Sequence, residues 1–221
     1  MRSRVRALLF DLDGTLIDSA PDLAGAGNEM RAARGLPPLP YEAFRPMVGS
    51  GARGMVGIAL QVVPADAGYG VLRDEFLQRY EARMTRETRV FADLPPVLEM
   101  LRAMEMPWGI VTNKATRFAE PLVRALGLDR LAATLVCGDT TPHSKPHPAP
   151  LLEAARRLDR APDACLYVGD DLRDVQAGRA AGMGTVAAAW GYLGLGDAIE
   201  AWGADDIVRS PVELLKLLTM A

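Results

Sequence analysis

The sequence predicts an α/β protein, a doubly wound parallel sheet with an all-α domain inserted just after its first strand. Three observations carry this expectation. An apolar run from Val5 to Phe10, broken only by Arg6, leads into Asp11-Leu12-Asp13-Gly14, the pattern of a buried strand running into a sharp turn. Between Asp18 and Arg86 there is no strand pattern, only helical stretches punctuated by glycine and proline. From Phe91 onward, short apolar runs alternate with helical segments, the rhythm of strand–helix–strand units around a parallel sheet.

Taken in order, Ala20 to Arg34 reads as a helix ended by Gly35 and the Pro37-Pro38 pair. Tyr41 to Val48 reads as a second helix. The glycine-rich joint Gly49-Ser50-Gly51-Ala52-Arg53-Gly54 opens a third, and Val71 to about Arg86 forms a fourth. These helices make residues 18–86 an inserted domain, with residues 1–17 and 87–221 as the α/β core; the alternative is a single domain with an all-α first half. In the core, Asp93 is placed to cap a helix that carries Pro95 and Pro96 in its first turn and runs to about Met106. Trp108 to Thr112 is a strand, Ala115 to Leu126 a helix closed by Gly127, and Ala133 to Cys137 a strand. Pro148 to Leu158 is a helix, Cys165 to Val168 a strand, and Leu172 to Ala181 a helix stopped by Gly182. Thr185 to Ala189 is the expected last strand, and a helix from Pro211 to Met220 follows.

Composition narrows the function. A chain of 221 residues with 49% hydrophobic and 24% charged residues is ordinary globular material. A net charge of −3 gives no basic field for nucleic acid or anionic membrane. The first residues resemble the start of an export signal, but the apolar run is short and ends in Asp-Leu-Asp, so a cytoplasmic location is expected. Cys137 and Cys165 lie in apolar strand-like runs and read as buried free thiols. Lysine is scarce: only Lys114, Lys145 and Lys216, with arginine everywhere else. Two of the three follow strands, where a compact point charge differs from a guanidinium.

The strand ends carry the polar residues. The first ends in Asp11-Leu12-Asp13, the next in Thr112-Asn113-Lys114, a loop after the third holds His143-Ser144-Lys145-Pro146, and the fourth ends in Gly169-Asp170-Asp171 with Asp174 one turn on. Each has a bland reading: Asp-Gly as a turn, Thr112-Asn113 or Asp170-Asp171 as helix caps, Lys145 as a solvated charge. Their convergence on one rim of a parallel sheet, where such folds bind ligands, favours a functional reading. Paired carboxylates suit a hard divalent cation. A zinc pair at His143 and His147 is a lesser possibility beside turn polarity, and Trp190-Gly191-Tyr192 reads as packing.

These four motifs, Asp11-Leu12-Asp13-Gly14-Thr15, Thr112-Asn113-Lys114, Lys145-Pro146 and Gly169-Asp170-Asp171-x-x-Asp174, resemble those of the haloacid dehalogenase superfamily over essentially the whole chain. The resemblance implies a Rossmann-like core with an inserted helical cap, and it is nearest in look to phosphoglycolate phosphatases. It extends to N-acetylmuramate 6-phosphate phosphatases through Ser50-Gly51-Ala52-Arg53, the stretch from Trp108 to Lys114 with Arg117 to Pro121, and Trp202 to Asp205. It implies a Mg²⁺-dependent phosphatase, monomeric or homodimeric, acting on a small phosphorylated carboxylic acid. In that implied scheme Asp11 is the nucleophile and Asp13 the general acid/base. Thr112, Asn113 and Lys145 bind the phosphoryl group, and Asp11, the Asp13 carbonyl and Asp170 hold the metal. Asp174 and Asp171 support the metal shell, and Arg53 reads a substrate carboxylate. Asp13 argues against a dehalogenase, and the absence of lysine from residues 18–86 against a Schiff-base phosphonatase. A phosphosugar mutase, a pyrophosphatase and a receiver-like phospho-acceptor remain as further alternatives.

Overall fold

The computed structural model describes residues 5–219. Strand β1 (Ala7–Phe10) is followed by the two-residue strand β2 (Ile17–Asp18) and then by helices α1 (Ala20–Ala32), α2 (Tyr41–Phe44), α3 (Gly51–Leu60) and α4 (Tyr69–Glu81). The chain returns through β3 (Arg89–Val90) into α5 (Leu94–Ala103), β4 (Trp108–Val111), α6 (Thr116–Ala125) and β5 (Thr134–Val136). It closes with α7 (Ala149–Arg157), β6 (Cys165–Gly169), α8 (Leu172–Ala180), β7 (Gly184–Ala188), β8 (Asp206–Val208) and α9 (Leu214–Thr219).

The main sheet has six strands in the order β5-β4-β1-β6-β7-β8, and every pair in it is parallel. β1 sits in the middle, between β4 and β6, which explains why its residues are apolar at consecutive rather than alternate positions. Successive side chains point to opposite faces. Ala7 and Leu9 join Val111, Tyr167 and the buried faces of α7 and α8. Leu8 and Phe10 join Trp108, Ile110 and Val168 under α5, α6 and α9. Helices on both faces make the sheet doubly wound, as expected.

The four helices α1–α4 pack on one another around Met30, Phe44, Met55, Val56, Phe76 and Tyr80, all buried. They leave and rejoin the sheet through the antiparallel pair β2–β3, Ile17 opposite Val90 and Asp18 opposite Arg89. Buried Asp22 ties this exit to the return: Oδ2 accepts from the Glu87 and Thr88 amides at 2.9 and 2.8 Å and from the Thr88 hydroxyl at 2.9 Å.

Several expected elements differ. Asp18 belongs to a strand, because the crossing of the two chains at residues 17–18 and 89–90 is a ribbon too short for any alternation to show. Thr185–Ala189 is not the last strand: β8 adds an edge strand, missed because three residues hold no period. The second helix stops at Phe44 and tightens into a 3₁₀ turn, Arg45–Ser50, where Pro46 supplies no amide proton. The fourth helix starts at Tyr69 and ends at Glu81, short of Arg86. Asp93 stands at the N-cap of α5, but its side chain accepts no capping hydrogen bond. The C-terminal helix begins at Leu214 after a 3₁₀ turn, and Met220, like Met1 to Arg4, lies outside the described residues.

Candidate active site

The carboxyl ends of β1, β4 and β6, with the loop after β5, surround a cavity of about 400 Å³ roofed by the helices α1, α3 and α4. Asp11 leaves β1 with its amide bonded to the Val168 carbonyl at 2.9 Å, so the neighbouring strand fixes its position. Gly14 follows at a φ of +86°, and a Cβ there would lie 2.1 Å from Asp170 Oδ2. Only glycine allows both the turn and that approach.

Lys145 is 5% exposed and organises the floor. Its ammonium donates to Asp11 Oδ1 at 2.7 Å, to the Val111 carbonyl at 3.1 Å and to the Tyr167 hydroxyl at 2.8 Å, and it pairs with Asp174 Oδ1 at 2.8 Å. Burial alone would lower this lysine, but Asp11 and Asp174 beside it hold it above the usual range, so it stays charged. The loop bearing it is clamped by Asn113, whose side chain donates to the Lys145 carbonyl and accepts from its amide, both at 2.9 Å. Thr112 is buried beside it, its hydroxyl accepting from the Lys114 amide at 3.1 Å.

Asp170 is 4% exposed and held on both oxygens, by the Thr15 hydroxyl and by the Tyr192 amide, each at 2.8 Å. Asp171 and Asp174 form a capping box at the start of α8: Asp171 Oδ1 accepts from the Arg173 amide and Asp174 Oδ2 from the Asp171 amide. The bland cap reading therefore holds for Asp171, whose carboxylate also pairs with the Arg173 guanidinium at 2.8 Å.

Asp11, Asp170 and Asp174 bring carboxylate oxygens within 4.8 Å of one another, and no other such group of metal-ligating side chains occurs among the described residues. Burial pushes the Asp11 carboxyl up to about 7 against the pull of Lys145. Burial, then the charges of Asp11 and Asp174, raise Asp170 well above the usual carboxylate range. Three buried carboxylates facing one buried ammonium lack positive charge, and a divalent cation with a preference for oxygen would supply it. The residues fit such an ion.

Asp13 points to the other side of the cavity. Lys114 Nζ donates to both its oxygens at 3.0 Å, and the Ser19 hydroxyl donates to Oδ1. The wall here is Leu23, Leu77, Phe76, Tyr80 and Phe118.

Most sequence-predicted residues thus meet: Asp11, Asp13, Thr112, Asn113, Lys145, Asp170, Asp171 and Asp174 all line one cavity. Arg53 does not. It is exposed on the first turn of α3, next to the lining residue Ala52. His143 and His147 stack on each other, ring centroids 4.3 Å apart, outside the lining residues. Trp190-Gly191-Tyr192 does more than pack. Its Tyr192 hydroxyl accepts from the Ser19 and Ala20 amides and donates to Asp18 Oδ1, while its amide holds Asp170. Sequence reasoning also missed Tyr167 and the partner of Lys114. The signals were a phenol inside a buried strand, which needs a partner, and lysine kept where arginine is the rule.

Comparison with known proteins agrees with this geometry. The model of the haloacid dehalogenase-like hydrolase family matches residues 5–182. The chain is 42% identical over 218 residues to an N-acetylmuramic acid 6-phosphate phosphatase of Pseudomonas putida, covering 99% of this chain and 98% of that one. It is 46% identical over 210 residues to a phosphoglycolate phosphatase of Xanthomonas campestris pv. campestris, covering 95% and 94%. Among solved structures, one from Haemophilus somnus named as a predicted phosphoglycolate phosphatase superposes with a TM-score of 0.85 at 27% identity, covering 97% of this chain and 98% of that one. With its motifs at the ends of β1, β4 and β6, the chain belongs to the haloacid dehalogenase-like hydrolases.

Proposed function

We propose that this chain is a Mg²⁺-dependent cytoplasmic phosphatase that hydrolyses a small phosphorylated carboxylic acid through an aspartyl-phosphate on Asp11. The observation that carries the reading is the division of labour between two carboxylates of one strand end: Asp11 sits against Lys145 and two further buried carboxylates, while Asp13 faces the wall of the same cavity. Phosphate monoester dianions are among the slowest substrates to hydrolyse in water, because an anion must attack an anion. When bound by Asp11, the Asp13 carbonyl and Asp170, Mg²⁺ would neutralise charge on the nucleophile and the phosphoryl oxygens. Asp11 would form the bond to phosphorus, Lys145 and Thr112 would hold phosphoryl oxygens, and Asn113 would fix the Lys145 loop. Asp13 would protonate the leaving alkoxide and then take a proton from the water that cleaves the phosphoenzyme. Asp174 and Asp171 would orient the floor rather than bind substrate. Residues 18–86 would act as a cap over the leaving group, and residues 1–17 and 87–221 as the core.

The leading substrate reading is phosphoglycolate phosphatase-like, supported by the Xanthomonas relative. N-acetylmuramate 6-phosphate is the second, favoured by the Pseudomonas relative and by a cavity roomier than a glycolate requires. Phosphate release with Mg²⁺ from 2-phosphoglycolate, N-acetylmuramate 6-phosphate, glucose 1-phosphate and pyrophosphate separates these. A dominant kcat/KM for one carboxylate substrate supports the reading, and a preference for either carboxylate-free compound overturns it. Asp13→Asn should reduce turnover at least about 10²-fold while Mg²⁺ still binds; wild-type turnover would remove Asp13 from the mechanism.

A further inference from the structure

Resting on the phosphatase reading, we propose that Lys114 and Tyr80 form the subsite that receives the substrate's carboxylate, the role expected of Arg53. Tyr80 comes from α4 and is 2% exposed, its ring stacked parallel to Phe76 at 6.4 Å and tilted against Phe118 at 5.8 Å. Its hydroxyl is the one buried side-chain polar atom among the described residues without a hydrogen-bond partner. A buried phenol pays for lost water unless something accepts or donates there, and such orphans are rare in finished interiors. Tyr80 lines the same cavity as Asp11 and Asp13, so the missing partner has a place to arrive from.

Lys114 supplies the charge. Its ammonium lies 4.9 Å from the centroid of the Tyr80 ring and 3.0 Å from both Asp13 oxygens. An ammonium has three hydrogens; Asp13 accepts from it through both oxygens, and the Tyr80 hydroxyl lies close enough to interact with it as well. The other cations of the cavity are committed elsewhere: Lys145 to Asp11 and Asp174, and Arg173 to Asp171 and the Gly49 carbonyl. Lys114 is therefore the cation on the Asp13 side, where the leaving group must sit for Asp13 to protonate it. A carboxylate there would accept from the Tyr80 hydroxyl and lie beside the Lys114 ammonium, while Phe76, Phe118, Leu23 and Leu77 cover the carbon skeleton. Because Tyr80 belongs to the helical block and Lys114 to the sheet, the carboxylate would also bridge the two.

The test compares matched substrate pairs that differ in the carboxylate: 2-phosphoglycolate against its amide, and N-acetylmuramate 6-phosphate against the amide of its lactyl carboxyl group. Wild-type enzyme with Mg²⁺ should favour the acid in its preferred pair by at least about tenfold in kcat/KM, the worth of one charge-assisted hydrogen bond. Tyr80→Phe removes a hydroxyl that makes no hydrogen bond of ordinary geometry in the protein, so its Tm should stay close to wild type while the acid-over-neutral ratio falls about tenfold, mainly through KM. Lys114→Gln should lower the same ratio further. If wild type hydrolyses these esters but shows no preference for the acid, or if Tyr80→Phe keeps the full ratio, the subsite is overturned and the phosphatase reading stands. If wild type hydrolyses none of the four, nor p-nitrophenyl phosphate, the phosphatase reading fails and the subsite with it.

Discussion

Lys145 has four oxygen neighbours for three hydrogens, so its ammonium is fully engaged. Its removal is the severest single change the site offers. Lys145→Met leaves Asp11 and Asp174 buried without their counter-charge, which costs about 3–5 kcal/mol when one partner of a buried pair is lost. Urea unfolding of the metal-free variant should show that loss, and saturating Mg²⁺ should recover part of it; an unchanged midpoint would mean that the ammonium is not the keystone its contacts suggest. Asp11→Asn has the opposite character. It deletes a carboxylate that burial already disfavours, so turnover should vanish while the fold persists by circular dichroism. At this scale the sequence was legible wherever residue type and strand end coincided, as for Asp11, Asp13, Lys145 and Asp170. It was not legible for Tyr80 or Tyr167, nor for the partner of Lys114: Asp13 lies 101 residues from Lys114, and Lys145 22 residues from Tyr167. Arg53, a guanidinium in a glycine-rich joint, is exposed beside the lining residue Ala52, and helix phase, which composition does not reveal, decides which side chains line the cavity.

Between the sheet and the helices α1–α4, few side chains carry the connection. Asp22 gathers three donors from residues 87 and 88 and meets Arg83 at 3.4 Å, so it joins the start of α1 to the strand that leads back into the sheet. Asp22→Ala should cost about 2–3 kcal/mol from the orphaned buried donors, which lowers Tm by roughly 4–12 °C for a chain of this size. A Tm within error of wild type would show that the ribbon holds itself. Further latches cross the gap: Arg45 donates to the Trp190 and Gly191 carbonyls, Arg173 to the Gly49 carbonyl, and exposed Arg117 pairs with Glu81. The elements themselves were readable where they are long or buried on both faces. β2, β3 and β8 were not, since two or three residues carry no period and their pairing is set by distant chain.

Across the molecule, both thiols are closed off. Cys137 and Cys165 are free and buried, and burial pushes the Cys165 thiol up to about 11. A thiol reagent at pH 8 should therefore find neither cysteine until the chain unfolds. The folded pKa lies above the unfolded value of about 8.5, so the folded state keeps the proton longer. The stability this confers is complete below about pH 8.5 and fades as pH rises toward about 11, which urea midpoints taken at rising pH would follow. Prompt labelling of the native protein at pH 8 would contradict the burial. Cation binding should act on the whole fold as well: Mg²⁺ at about a hundred times its Kd adds about 2.7 kcal/mol, and chelation removes it. An unaltered melting curve in chelator and in excess Mg²⁺ would speak against the carboxylate floor as the binding place. Finally, Tyr192 reaches in two directions from one residue, its amide to Asp170 and its hydroxyl to the amides of Ser19 and Ala20 where the helical block departs. The carboxylate floor and the start of the helical block are thus tied through one residue. Linkage makes any coupling through Tyr192 reciprocal: were the placement of the helical block to favour a cation on the carboxylates, the cation would favour that placement in equal measure. Tyr192→Phe would keep the amide contact and cut the other, so a loss of Mg²⁺ affinity in that variant would measure that coupling.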